Sequence, residues 1–239
     1  MKTLRLFGLA IATVMLPLGA TSCDDDDDDD DGTQTETSEI TVITGQKRIT
    51  KIKFDGSYIE TLYIFYDDKG RLTRAVGDFG EDKYVWEGNT ITETERDGDV
   101  NILILNNNLV DEEIHKGKDP DPDEDRSYTF GYDEQGRQIR YDDEAVVWED
   151  DRMVQRGHMT FTYSGQTCKG YIPFTLIIAD KPGGIEDIHP ELYGMRTSQL
   201  PDASNYGPYY YTFDSDGYLA SCTAYVGDNC YYYYELTWE

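Results

Sequence analysis

Turn glycines recur along this chain at intervals too short for anything but hairpins. Asp55-Gly56, Lys69-Gly70, Phe79-Gly80, Gly88-Asn89 and Asp97-Gly98 interrupt the first third of the folded region, with 14, 10, 8 and 10 residues between successive glycines. Between these turns lie runs such as Tyr58-Ile59-Glu60-Thr61-Leu62-Tyr63-Ile64-Phe65-Tyr66, rich in the aromatic and β-branched residues that suit a pleated surface. Parallel strands need crossover connections of a dozen residues or more, so strands joined this closely must be antiparallel neighbours. The alternation continues downstream: Tyr128, Phe130 and Tyr132 alternate with Thr129 and Gly131, and Tyr209, Tyr211 and Phe213 with Tyr210 and Thr212. The expected fold is all-β, a soluble antiparallel up-and-down meander of hairpins curled into a barrel-like or strongly twisted sheet. One stretch breaks the pattern, a long irregular loop near residues 180–208. Within it Ile188 to Met195 can form a short helix with Pro190 at its first position.

One hairpin phrase repeats. Tyr66-Asp67-Asp68-Lys69-Gly70-Arg71-Leu72 returns as Tyr132-Asp133-Glu134-Gln135-Gly136-Arg137-Gln138-Ile139, and more loosely as Phe213-Asp214-Ser215-Asp216-Gly217-Tyr218-Leu219. The Asp can accept hydrogen bonds from turn amides, and the Gly three residues on tolerates positive φ. On this reading Leu72, Ile139 and Leu219 occupy one equivalent site on the return strand. A second phrase follows the first two copies, Val85-Trp86-Glu87-Gly88-Asn89 and Val147-Trp148-Glu149-Asp150-Asp151, each a Trp-bearing strand that runs into a turn. The Gly-to-Gly spacings between copies, 66 and 81 residues, exclude a strict tandem array.

The N-terminus reads as an address. Lys2 and Arg5 precede an apolar run, Leu6 to Ala20, shorter than the roughly 20 residues of a spanning helix. Ala20-Thr21-Ser22 then leads into Cys23. This resembles a bacterial lipoprotein signal peptide, with residues 1–22 removed and Cys23 lipidated; Ala20 stands where a larger apolar residue is usual. Residues 23–39 form an acidic disordered tether led by Asp24 to Asp31, a like-charge block that cannot collapse. Such a block after the lipidated cysteine resembles the surface-export signal of Bacteroidota lipoproteins, and implies the outer membrane and exposure at the cell surface. Residues 40–239 remain as one β-domain, undivided by any linker.

With 48 acidic against 21 basic side chains the chain carries −27, which repels nucleic acid. A mean hydropathy of −0.65 argues against an integral membrane protein. Strands such as Thr92-Glu93-Thr94-Glu95-Arg96 put charge on both faces in this reading, which a lipid-facing barrel would not tolerate. Contact with the membrane is therefore expected through the lipid anchor only.

The Tyr-Asp-x-x-Gly-Arg phrase resembles the YD repeats of bacterial surface and toxin-shell proteins. The whole pattern over residues 45–239, including Leu192-Tyr193-Gly194 and Leu200-Pro201, is more similar to a family of Bacteroidota lipoproteins, a domain of unknown function with a porin-like fold. That resemblance implies a curled antiparallel sheet and no assigned activity.

The residues bring no catalytic constellation, no cofactor motif and no metal-ligand spacing. His115, His158 and His189 have no partners of that kind, and no G-x-S-x-G elbow occurs. Asp119, Asp121, Asp123 and Asp125 alternate like a calcium loop but lack its turn glycine and distal Glu. Cys222 and Cys230 flank Gly227-Asp228 and are candidates for a disulfide, although a two-residue turn there would set Cys230 opposite Tyr225; the alternative is three reduced thiols with Cys168. Tyr209 to Tyr211 and Tyr231 to Tyr234 either present phenols to a glycan or protein ligand or fill a semi-polar interior. The expected role is a lipid-anchored cell-envelope protein with a non-catalytic binding function. Two alternatives stand beside it: a carbohydrate-active hydrolase with carboxylates in the barrel mouth, and a calcium-stabilised adhesion module.

Overall fold

The computed structural model describes residues 46–118, 125–178, 184–227 and 229–239. The leader, Cys23, the acidic tether and most of the 119–125 acidic loop lie outside these. Sixteen antiparallel strands follow one another around a closed barrel, each paired with its sequence neighbours, the last closing onto the first. They are β1 (Ile49–Asp55), β2 (Ile59–Tyr66), β3 (Leu72–Gly77), β4 (Gly80–Glu87), β5 (Thr90–Thr94), β6 (Val100–Asn106), β7 (Leu109–Lys116) and β8 (Arg126–Tyr132). The second half is β9 (Gln138–Tyr141), β10 (Glu144–Glu149), β11 (Arg152–Arg156), β12 (Met159–Thr162), β13 (Ala203–Ser204), β14 (Gly207–Phe213), β15 (Leu219–Val226) and β16 (Asn229–Trp238). The meander inferred from turn spacing is thus the observed topology, and the sheet closes fully.

Alternate connections lie at alternate ends of such a barrel. One end, the turn end, carries the β2–β3, β8–β9 and β14–β15 turns, which are the three copies of the repeated phrase. In each, the Asp side chain caps the turn: Asp67 Oδ1 accepts from the amides of Lys69 and Arg71, Asp133 Oδ1 from Gln135 and Arg137, and Asp214 Oδ1 from Asp216 and Tyr218, all at 2.9–3.0 Å. The glycines take φ of +81°, +73° and +89°. A tryptophan two strands on then donates its indole N–H to the backbone just after each turn: Trp86 to Leu72 O, Trp148 to Gln138 O and Trp238 to Leu219 O, at 2.6–2.7 Å. Copies therefore start on β2, β8 and β14, with tryptophans on β4, β10 and β16. The repeat is one of six strands, and the weak third copy is structurally complete.

One correction follows. Gln138, not Ile139, takes the site of Leu72 and Leu219: Gln138 is buried whereas Ile139 is 43% exposed on the outer wall. A single-residue slip exchanges faces in a strand. The unequal copy spacing has a cause too, since about 40 residues separate β12 from β13.

That excursion fills the barrel. A sheet of sixteen strands closes around a lumen too wide for its own side chains to fill. Here a plug of two short helices, α1 (Phe174–Ile178) and α2 (Ile185–Ile188), and a 3-10 turn over Pro190–Tyr193 occupies it. Of the short helix expected over Ile188 to Met195, the structure has one 3-10 turn with Pro190 at its start, and α2 precedes it. Plug side chains meet the wall from all sides: Phe174 against Phe161 of β12, Tyr193 against Phe130 of β8, and Ile177 O accepting from the Tyr232 hydroxyl of β16. His189 sits edge-on between Tyr66 and Trp86, and its Nε2 accepts the Leu72 amide at 3.1 Å while Nδ1 faces Glu191 Oε1 at 3.1 Å. Accepting at Nε2 requires the Nδ1–H tautomer, so this histidine is a structural pin in its neutral form. Gly194 closes the plug with φ +69°, and a Cβ there would lie 2.5 Å from Gly136 O.

Inward positions carry the core: Ile52, Phe54, Leu62, Ile64, Leu72, Ile91, Leu103 and Tyr234 are all buried. The outer wall is mixed. Lys53 faces Glu235 at 3.7 Å, Arg74 pairs with Glu81 at 3.2 Å, and Lys83 lies 3.5 Å from Glu81. These charges sit in mid-strand on β1, β3, β4 and β16, where each Lys or Arg facing hydrocarbon would cost about 2–4 kcal/mol. The β5 strand corrects the sequence reading: Glu93 points inward and Thr92 and Thr94 outward, so its carboxylate lies on the lumenal face.

Candidate functional site

The other end of the barrel, the rim, is open, and there the wall and the plug enclose a strongly acidic cavity. Its residues come from strands whose parity turns a carboxylate inward. Glu60 shares a face with Leu62 and Ile64 on β2, Asp82 with Tyr84 on β4, Glu93 with Ile91 on β5, and Glu113 pairs across β7 with the buried Leu103 of β6. Glu186 enters from α2. A cavity of about 460 Å³ is bordered by these five, by Glu95, Arg96, Asp97 and Asn101, and by Tyr58, Phe79 and Tyr193. An adjoining one of about 470 Å³ shares Glu95, Asn101 and Glu113 and reaches Asp99, His115, Arg126 and Tyr128.

Two hydrogen-bonded clusters organise the walls. In the first, Arg96 is clamped by Asp82, with Nη2 to Oδ2 at 2.9 Å and Nε to Oδ1 at 3.3 Å, and its Nη1 pairs with Glu60 Oε1. The flanking carboxylates hold the guanidinium firmly charged. Glu60 is 1% exposed, and its Oε2 has no hydrogen-bond partner. In the second, Glu93 Oε1 accepts from the Tyr84 hydroxyl at 2.7 Å and Oε2 from Asn101 Nδ2 at 3.0 Å. Asn101 Nδ2 also reaches Glu95 Oε1 at 2.8 Å, which leaves Asn101 Oδ1 facing His115 Nδ1 at 2.8 Å. With its amide nitrogen on two carboxylates, Asn101 presents oxygen to the histidine, so His115 Nδ1 carries the proton.

The electrostatics of Glu93 and Glu113 are set by burial and by the carboxylates around them. Burial pushes the Glu93 carboxyl up to about 7; the bonds from Tyr84 and Asn101 oppose that rise, and Glu95 and Glu186 add to it. Burial, then the Glu186 and Glu93 charges, push Glu113 up to about 8, against a hydrogen bond with Tyr193. Such a site attracts cations and holds protons near neutral pH. Among the described residues no group of three or more His, Cys, Asp or Glu is placed to hold a metal ion.

A third cavity of about 320 Å³ opens at the same rim between Met159, Tyr206, Tyr225, Val226 and Tyr231. The tyrosine runs divide between the interior and the surface. Tyr209, Tyr232 and Tyr234 are buried inside, whereas Tyr210 and Tyr231 are exposed.

The residues singled out in the sequence fall elsewhere. His115 lies in β7 at the cavity, His158 in the β11–β12 turn and His189 in the plug. Cys168, Cys222 and Cys230 are free thiols. Cys222 faces Tyr234, and Cys230 stands opposite Tyr225 as a two-residue turn requires, so the candidate bridge is not formed. Sequence reasoning missed Glu60, Glu93, Glu113 and Glu186. The available signal was a lone Glu at the apolar parity of a strand, as in Ile59-Glu60-Thr61-Leu62.

No family model matches the sequence, and no curated protein does. Solved structures do resemble the fold. A porin-like protein from Bacteroides vulgatus ATCC 8482 superposes with a TM-score of 0.61 at 12% identity, covering 81% of this chain and 99% of its own. A porin-like protein from Bacteroides uniformis ATCC 8492 gives 0.57 at 18% identity, covering 82% of this chain and 98% of its own. At these identities the likeness is one of fold: a Bacteroides porin-like barrel.

Proposed function

We propose that this chain is a cell-envelope protein, held at the outer membrane through lipid on Cys23, that binds a ligand at its rim and neither conducts nor catalyses. The observation that carries this reading is the plug: it occupies the lumen, so the accessible space is the rim cavity rather than a channel. The charged outer wall supports anchoring by lipid over spanning by strands, and the leader followed by Asp24 to Asp31 supports export to the surface. The porin-like neighbours, whose descriptions place them among porin-like proteins, support an envelope role by analogy of fold alone.

Fractionation tests the anchor. Cys23→Ala should move the protein from the membrane to the soluble fraction, and retention in the membrane would refute lipid anchoring. Surface exposure is read by protease digestion of intact cells. The hydrolase alternative draws support from Glu93 and Glu113, since a carboxyl protonated near neutral pH is what a general acid needs. Release of reducing sugar from polysaccharides, lost in Glu113→Gln, would establish it.

A further inference from the structure

We infer that the acidic rim cavity receives a compact organic cation, an amine or guanidinium group bound between Glu93 and Glu113, with its apolar body against Tyr58 and Phe79. This rests on the reading that the rim cavity is the ligand site, and names the ligand's class.

Charge comes first. Among the described residues Arg96 is the basic side chain in the wall of the 460 Å³ cavity, and it is already engaged by Asp82 and Glu60. Glu93 and Glu113 are held by neutral partners, the Tyr84 hydroxyl and Asn101 amide for one and the Tyr193 hydroxyl for the other. Neither has a basic side chain within ion-pair distance among the described residues. An independent sign lies in the same wall: Glu60 is 1% exposed, yet its Oε2 makes no hydrogen bond. Buried carboxylate oxygens rarely go without a donor, and this one leaves the acidic wall a donor short even with Arg96 on the other oxygen.

Size and shape select the kind of cation. The cavity measures about 460 Å³. A water's share of liquid volume is about 30 Å³, so a bare ion would leave the space unfilled, whereas small-molecule sites run about 300–1,000 Å³. The carboxylates are spread over β2, β5, β7 and α2 instead of converging, in keeping with the lack of a metal-holding group among the described residues. At the lip Tyr58 and Phe79 meet edge to face with centroids 5.8 Å apart, and Phe79 is 61% exposed. Aromatic faces beside carboxylates are the setting in which ammonium and guanidinium groups bind.

The protons held at the site then become a readout. Glu93 is faced by Tyr84 from β4, Asn101 from β6, Glu95 after β5 and Glu186 from α2; Glu113 by Glu186, Glu93, Glu95 and Tyr193. Burial and mutual repulsion keep Glu93 and Glu113 partly protonated near neutral pH, so a bound cation must displace protons.

The test is calorimetric titration of putrescine into the full-length protein in detergent at pH 7.5 and low salt, in two buffers of different ionisation enthalpy. We expect binding accompanied by proton release, weakened at least tenfold at pH 5.5, in Glu113→Gln and in Glu93→Gln. The exposed-turn variant Phe79→Ala should weaken it severalfold without affecting the fold, and Glu235→Gln on the outer wall should leave it unchanged. Putrescine binding that ignores Glu113→Gln, Glu93→Gln and Phe79→Ala overturns the proposal. So does calcium binding at the site with no amine binding. If putrescine is silent but a neutral oligosaccharide binds and is lost on Tyr206→Ala or Tyr231→Ala, the cation assignment falls while the rim remains the ligand site. If no probe binds, both readings fall.

Discussion

The two ends of this barrel use the same chemical group in opposite ways. At the turn end, partial burial works to raise the Asp67 and Asp133 carboxyls, but amide bonds and the adjacent guanidiniums of Arg71 and Arg137 outweigh it and hold both below the ordinary range. Each carboxylate is fully employed, and each arginine packs over a tryptophan, Arg71 on Trp86 at 5.6 Å and Arg137 on Trp148 at 5.8 Å. At the rim, burial is not offset, and Glu93 and Glu113 rise. Carboxylates paired with a guanidinium and turn amides stabilise the fold; carboxylates buried with neutral donors alone carry a desolvation cost at a place where a ligand can relieve it.

Breaking the turn end should have the largest effect. Gly194→Ala places a methyl 2.5 Å from Gly136 O and 2.8 Å from the Gln138 amide, at a φ that disfavours any side chain. We expect a loss of about 3 kcal/mol or more, seen in urea denaturation, because backbone on both sides must move. Asp133→Ala removes an acceptor of two amides and the partner of Arg137, for a loss of about 2 kcal/mol. The wild-type contribution of Asp67 and Asp133 is fully present above the unfolded carboxyl value near 4 and is lost as pH falls through their lower folded values. The Asp133→Ala deficit should therefore shrink in strong acid.

The rim predicts the reverse sign. A carboxyl raised by folding to about 8 imposes a penalty that is absent below its ordinary value of 4.5 and complete above about 8. Glu113→Gln should thus stabilise the ligand-free protein by about 1–3 kcal/mol at pH 8.5 and have little effect at pH 4. The same variant should lose cation binding. A melting profile with no pH-dependent gain would show that the Glu113 charge is compensated after all. The smallest effect is expected from Gln138→Leu, which supplies the side chain of the other two copies and removes an amide oxygen buried without a partner. A gain of about 1 kcal/mol in thermal unfolding would mark Gln138 as an imperfection of the second repeat.

Much of the fold was legible because hairpin chemistry is local. Turn glycines, the aspartates before them and alternating strands specify neighbour pairing within a dozen residues, and this sufficed for the meander and its curling. The third copy read as weak because Tyr218 replaces an arginine; in the folded protein Tyr218 stacks on Trp238 at 5.1 Å and serves the same end. Hydrophobicity misled where spacing did not: Ile139 drew the assignment by being apolar, but all three copies share one register shift, and Leu72, Gln138 and Leu219 each stand two residues after the turn glycine. The candidate site was hidden for a different reason. In a chain of 48 acidic residues, abundance conceals the few that face inward, and Glu60, Glu93, Glu113 and Glu186 are separated by 20 to 73 positions.

The sequence by itself determined the local geometry and the order of pairing, since each depends on contacts between near neighbours. Only the tertiary structure decided that the sheet closes, that Phe174–Ile178 and residues 185–193 turn into its lumen, and which carboxylates meet. Closure and filling are solved together: sixteen strands leave a space that side chains cannot span, and the one irregular segment supplies the apolar volume. That same segment carries Glu186 to the rim beside Glu93 and Glu113, and a charge that would be ordinary on a strand face becomes a site once the plug covers it.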